Sequence, residues 1–379
     1  MANEITILVR AQGAAQATAA LEGVGSAASR LGSRVSALGE ELSLKVTAPL
    51  LALGGASVKM AADFDVSMAK IVGLVGVSRE QVAAWKDDLI KMGPEVGKTP
   101  QELAEALYFV TSSGVALSEA LEVVRVAARA SSSGLGTAAV VADALTSAMN
   151  AYGAANLSAA KASDILTAAV KFGKLEADAL APVLGRILPV AAALGIGFEQ
   201  VAGSLAVMSR TGLDAAEAAT SLNALLSTLM KPSKEGAEAL AAVGLSMGGL
   251  RDMAAGPGGL ISVLRLLDER FGDNEETLAA IIPNIRALRG FMNILAQDSS
   301  LVDEVMKGVA ESTGTADEAF KAAAETAQFE FNVHMAEMQG ILIQLGIQVL
   351  PLVVPLMKDL AGAGKGAAEA FKELSPEMQ

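Results

Sequence analysis

The sequence predicts an all-α fold, a multi-helix bundle or solenoid-like array of short capped helices with one short strand at the N-terminus. Two observations carry this. Apolar residues make up 52% of the 379 but aromatics only 3%, and Ala and Leu dominate, which favours small, close-packed helices over sheets. The second is punctuation. Ser78 with Gln81, Thr99 with Glu102, Asp214 with Glu217, Asp273 with Glu276, and Thr315 with Glu318 each set a cap residue three positions before an acid or amide. Gly114, Gly153, Gly173, Gly212 and Gly272 stand where the intervening helices should end.

Taken in order, Glu4 to Arg10 alternates polar and β-branched residues and reads as the strand. Residues 11–42 are alanine-rich, with Leu21, Val24, Leu31, Val35, Leu38 and Leu42 forming a narrow seam for partner helices, broken by glycines. Residues 1–45 are therefore expected to form an N-terminal strand and helical seam. Residues 46–312 form a core of helix-sized blocks with little linker between them. GVALSEALEVVRVAARASSS and GIGFEQVAGSLAVMSRTG both read as a glycine turn followed by an apolar-stripe helix, although no strict repeat is present.

Residues 313–379 are expected to form a long C-terminal helix. Met338 to Met357 carries no charge, and such a run meets the minimum length for crossing a bilayer. Gln344 and Gln348 share one face, and Pro351 and Pro355 remove amide donors, so the run reads better as a helix packed on protein. Its apolar positions Leu342, Leu345, Val349, Leu352, Val353 and Leu356 are the candidate contact with a partner or a membrane.

Signatures of chemistry fail on spacing or context. Gly97, Lys98 and Thr99 suggest a phosphate-binding loop, but only Pro94, Glu95 and Val96 separate Gly93 from Gly97, one residue too few, and helical spacing precedes them instead of a strand. A helix-to-helix turn uses every residue: Gly93 ends one helix, Pro94 stops it continuing, and Thr99, Pro100 and Glu102 open the next. Gly134 to Ala139 approximates a dinucleotide fingerprint but follows ASSS and lacks a βαβ setting, so it reads as a capped turn. His334, flanked by Glu330 and Glu337, could share a helix face with both carboxylates, and an exposed acidic face is the simpler account. No nucleophile has a matching base, so no enzyme activity and no cofactor are expected. The chain has no cysteine and one histidine, which removes disulfides, thiolate sites and most transition-metal constellations. A net charge of −13 argues against broad nucleic-acid binding. MANEITILVR lacks the basic start and apolar run of a secretory signal, so synthesis in the cytoplasm is expected. The methionines are spread along the chain, as core filling requires.

Several segments together resemble the core domain of bacteriophage tail tape measure proteins of long-tailed phages and prophages. They are FDVSMAKIVGLVGVSREQV at 64–82, TPQELAEALYFVTSSGVALSEALEVV at 99–124, VVADALTSAMNAYG at 140–153 and the run from LPVAAALGIGFEQ to AAVGLS at 188–246. They stand in the order of the family within residues 64–246, a span of about half the chain. The resemblance implies a virion structural protein whose several copies occupy the tail tube lumen, template tail tube assembly and length, and leave during DNA ejection. It also implies partners: further copies of itself, tail tube protein, a tail assembly chaperone, tail tip or hub proteins, and transient membrane contact, with no sequence-specific nucleic-acid binding. The family core has no catalytic residues to carry over. A membrane-perturbing helical protein, pore-forming or toxin-like, is the alternative, motivated by residues 338–357.

Overall fold

The computed structural model describes residues 41–373. The expected strand at Glu4 to Arg10 lies outside the described residues, as does all but the end of the 11–42 seam. Among the described residues every regular element is helical: α1 (Glu41–Lys70), a π-helical turn (Ile71–Val75), α2 (Arg79–Val96), α3 (Pro100–Ser112), α4 (Ala120–Ser132), α5 (Ala138–Tyr152), α6 (Ala159–Phe172), α7 (Ala177–Ala193), α8 (Phe198–Arg210), α9 (Ala215–Met230), α10 (Lys234–Ala242), α11 (Met247–Ala255), α12 (Gly259–Phe271), α13 (Glu275–Ile281), α14 (Ile285–Leu295), α15 (Ser299–Ala310), α16 (Thr315–Ala324) and α17 (Ala327–Glu373). The all-α array expected from the sequence is what forms. Packing divides the chain into two units, Val66–Gly340 and the two terminal segments Met1–Asp65 with Ile341–Gln379.

In the unit Val66–Gly340, alternate helices stack into two rows. α3, α5, α7, α9 and α14 each pack on the next in one row, and α4, α6 and α8 do so in the other, with α2 closing one end against α3 and α4. This is the solenoid logic, in which each helix hides its apolar stripe against its neighbours in sequence and the next helix of its own row. The two glycine-turn segments singled out by sequence become α4 and α8, in the same row. Helices α10 to α13 form an excursion packed on α8, α9 and α14. The chain then folds back over the second row in reverse order. α15 lies on α8 and α6, and α16 lies on α6 and α4. The start of α17 reaches α2, where Phe329 abuts Gly97 and Ala336 abuts Gly93.

The rows approach closely because small residues line them. Gly290 on α14 faces Leu225, Met208 and Ser221, each about where a methyl group would be crowded, at 3.1 Å. Buried hydroxyls are satisfied inside their own helices: Thr111 donates to the Leu107 carbonyl (2.7 Å), Thr146 to Ala142 (2.8 Å) and Thr167 to Ser163 (2.8 Å). Such back-bonding lets a polar residue occupy the core without an orphaned donor. In the other unit, Ala61, Phe64 and Ile343 are buried, and Gly346 sits directly over the Ser57 carbonyl and Ala61, so α1 and α17 touch at backbone range.

Three details of the punctuation differ from expectation. α2 runs through Gly93 and Pro94 and stops at Gly97, which takes a left-handed φ of 63°. Gly93 is there for proximity, since a Cβ would lie 2.8 Å from the Lys98 carbonyl. Pro94 falls in the last turn, where only one helical bond is lost. The cap of α13 is Asn274 and not Asp273; its side chain accepts the Thr277 amide at 3.0 Å. Thr315 is not the cap of α16. That position is Gly314, and the acceptor comes from α6, where Asp164 takes the amides of Gly314 (3.0 Å) and Ala316 (2.9 Å). The Ser78, Thr99 and Asp214 caps form as expected, with a full capping box at Thr99 and Glu102.

Candidate interaction surface

The motifs that hinted at ligands are architecture. The Gly97–Thr99 stretch is the turn from α2 into α3, with the Lys98 amide bonded to the Gly93 carbonyl at 3.0 Å. Gly134 and Gly136 both have positive φ, Thr137 caps α5 through the Val140 amide (3.3 Å), and the Asp178 carboxylate presses on Gly136. His334 Nδ1 lies 3.1 Å from Glu337 Oε2 with both side chains mostly exposed, and Glu330 is not part of the pair. Among the described residues no group of three or more His, Asp or Glu is placed to hold a metal ion. Tyr152 donates to the Ile196 carbonyl at 2.9 Å, and burial, with Glu199 nearby, pushes its phenol well above the usual tyrosine range.

What remains are surfaces, and α17 carries the first. One stripe is covered: Ala336, Gly340 and Ile343 are buried. A second stripe lies about 140° round the helix, following from 3.6 residues per turn. It includes the sequence-picked Leu342, Leu345, Val349 and Val353, all half-buried, while the side chains of Leu352 and Leu356 lie outside the described set. The same spacing of four and three residues continues N-terminally to Met338, Met335 and Phe331, a heptad seam. Phe331 is 59% exposed and Met338 45%. Sequence reasoning missed this extension because it followed the uncharged run, which stops at Met338, and not the spacing. Glu330 and Glu337 border the stripe on its outer edge. No helix among the described residues is long and apolar enough to cross a membrane.

The second surface is α14, also missed. Ala287, Gly290, Phe291 and Ile294 face inward. Ile285, Arg289, Met292 and Ala296 form an exposed stripe at spacings of four, three and four residues, with Ile285 71% and Met292 54% exposed. Arg286 flanks it. Arg289 has only a long contact of 4.0 Å with Glu217, and both side chains are largely exposed, so the pair contributes little. From Asn284 to Gln297 there is no acidic residue.

Within the returning segment, α15 buries Val302, Val305 and Val309, whereas α16 is held mainly by polar contacts. α16 has no buried residue. Asp164 caps it, Arg129 pairs with Asp317 at 2.8 Å, and the Arg129 guanidinium lies 4.5 Å from the Phe320 ring centre. Phe320 in turn meets Phe329 edge-on.

The sequence model of the phage-related minor tail protein family matches residues 86–285, which run from within α2 to the start of α14 and so take in the second row, the excursion and the first row up to α9. The chain belongs to that family. This minor tail protein is also similar to the tape measure protein of Pneumococcus phage Dp-1, at 24% identity over 348 residues, 92% of this chain and 30% of that protein. The chain thus spans 30% of the length of this relative. No solved structure matches. The resemblance to tape measure proteins drawn from the sequence is borne out, and the family places the chain among phage tail proteins.

Proposed function

We propose that this chain is a structural, non-catalytic part of a tape measure protein: it occupies the tail tube lumen, templates assembly and length of the tube, and leaves during DNA ejection. The observation that carries the reading is the family match over α3 to α13, joined to similarity over 92% of the chain with a tape measure protein. Its partners on this reading are further copies of itself, the tail tube protein, a tail assembly chaperone and tip or hub proteins. The stripe of Leu342, Leu345, Val349, Leu352, Val353 and Leu356 is the proposed contact face on α17. Synthesis in the host cytoplasm precedes entry into the virion.

Cryo-electron microscopy of tails made with and without the gene tests this. Loss of normal tails, with lumen density present only when the chain is supplied, is expected. Tails of normal length and unchanged lumen density without the gene would overturn the reading.

A further inference from the structure

We propose that α14 of one copy docks on the Phe331, Met335 and Met338 stripe of α17 in a second copy, head to tail. This deepens the reading above by naming the surface through which copies meet, and rests on it only for the setting.

Both faces are unpartnered helix stripes of coiled-coil spacing, a pattern that lets one helix set its knobs between the residues of another. Each exposes two large apolar side chains, Ile285 and Met292 on one and Phe331 and Met338 on the other. Their charges are opposite in sign: Arg289 lies within the α14 stripe and Arg286 beside it, and Glu330 and Glu337 lie beside the α17 stripe. Two copies of the α14 face would bring arginines together, and two copies of this part of the α17 face would oppose glutamates, unless the helices ran so as to separate them. Complementary pairing removes that repulsion and gives register.

The two faces cannot satisfy each other within one chain. α14 ends the first row beside α9, whereas the start of α17 sits at the α2 end, against Gly93 and Gly97. A contact between different patches at opposite ends is heterologous, and unless its rotation closes a ring it propagates into an open chain of copies. The area offered by roughly two helical turns a side is small, so the contact is weak in dilute solution and forms where copies are crowded.

The test is sedimentation velocity of the full chain across concentration and salt, with two double variants, Arg286→Glu with Arg289→Glu, and Glu330→Lys with Glu337→Lys. All four residues are exposed, and circular dichroism checks that each variant is folded. The wild type is expected to grow in mass with concentration without a fixed end point, and to lose most of this at about 1 M salt, where charges are screened beyond about 3 Å. Each variant alone is expected to associate at least tenfold more weakly. Mixed in equal amounts, the intact α14 face of one variant meets the intact α17 face of the other and the two charge-reversed faces are complementary as well, so concentration-dependent association should return. Overturning results are a wild type that stays monomeric at about 0.5 mM, a variant of α14 that associates like the wild type, or a mixture that fails to pair. A monomer in solution, with tails that still require the gene, would remove the docking and leave the proposed function standing.

Discussion

Asp164 is the residue on which the return of the chain turns. A carboxylate accepting two amides at a helix N-terminus satisfies orphan donors and opposes the helix dipole, and here it does so for a helix that buries none of its own residues. Loss of such a cap costs about 1–2 kcal/mol. Asp164→Ala is therefore expected to raise hydrogen exchange in residues 314–324 about five- to thirtyfold, since about 1.4 kcal/mol is a factor of ten, with α5 and α7 unchanged. Unaltered exchange in α16 would show that Arg129 and the aromatic contacts suffice. Tyr152 gives a second residue-scale expectation. Its phenol keeps its proton in the folded chain beyond the ordinary tyrosine range near 10, whereas the unfolded chain releases it there. The folded state then binds more protons, and stability falls as pH rises above about 10. Tyr152→Phe should lower stability at neutral pH by about 1 kcal/mol through the lost hydrogen bond and flatten this alkaline branch, as read by urea unfolding at a series of pH values.

At the scale of elements, helix existence was legible because caps are local: Ser78, Thr99 and Asp214 each find their donor three residues on. What stayed hidden depends on distant partners. Gly93 looked like a stop, but the reason for glycine there is Ala336 and the backbone of Lys98; the α16 cap comes from a residue 150 positions away. The heptad stripe of α17 was half legible, since charge composition drew attention to residues 338–357 and away from Phe331 and Met335. The α14 face left a signal too, an amphipathic helix with apolar residues on its polar side, but only the burial of Phe291 and Ile294 shows which apolar residues are left over. α7 makes a distinct prediction. Pro182 and Pro189 lie inside it, on its exposed side, so the Gly185 carbonyl lacks the helical donor that residue 189 would supply. Pro189→Ala restores that donor, and a rise of about 2–4 °C in the thermal midpoint per kcal/mol gained is expected. A fall would mean that proline at position 189 is needed for the way α7 packs between α5 and α9.

For the whole molecule, the question is whether the family role uses this chain as a folded body or as an extended strand, and the two make different lengths. One continuous helix of 379 residues would reach about 570 Å at 1.5 Å per residue, far more than rows of helices that double back on themselves. The excursion α10 to α13 is the place to separate these cases. α9 and α14 already lie against each other, with Gly290 over Ser221 and Leu225, so residues 232–283 can be replaced by a short Gly/Ser turn that joins the two helices. If the array stays folded inside the tail, that deletion leaves tail length unchanged, because no axial helix is shortened. If the chain is drawn out as helix, the loss of some fifty residues shortens each tail by about 75 Å at the same rise. Removing 14 residues from within α17, two heptads that keep its stripe in register, should shorten tails by about 21 Å in either case, provided α17 lies along the tube. Tail lengths measured by electron microscopy for the two deletions therefore distinguish a rigid head carried by a helical ruler from a ruler made of the whole chain, and no change with either deletion would show that this part of the protein does not measure length.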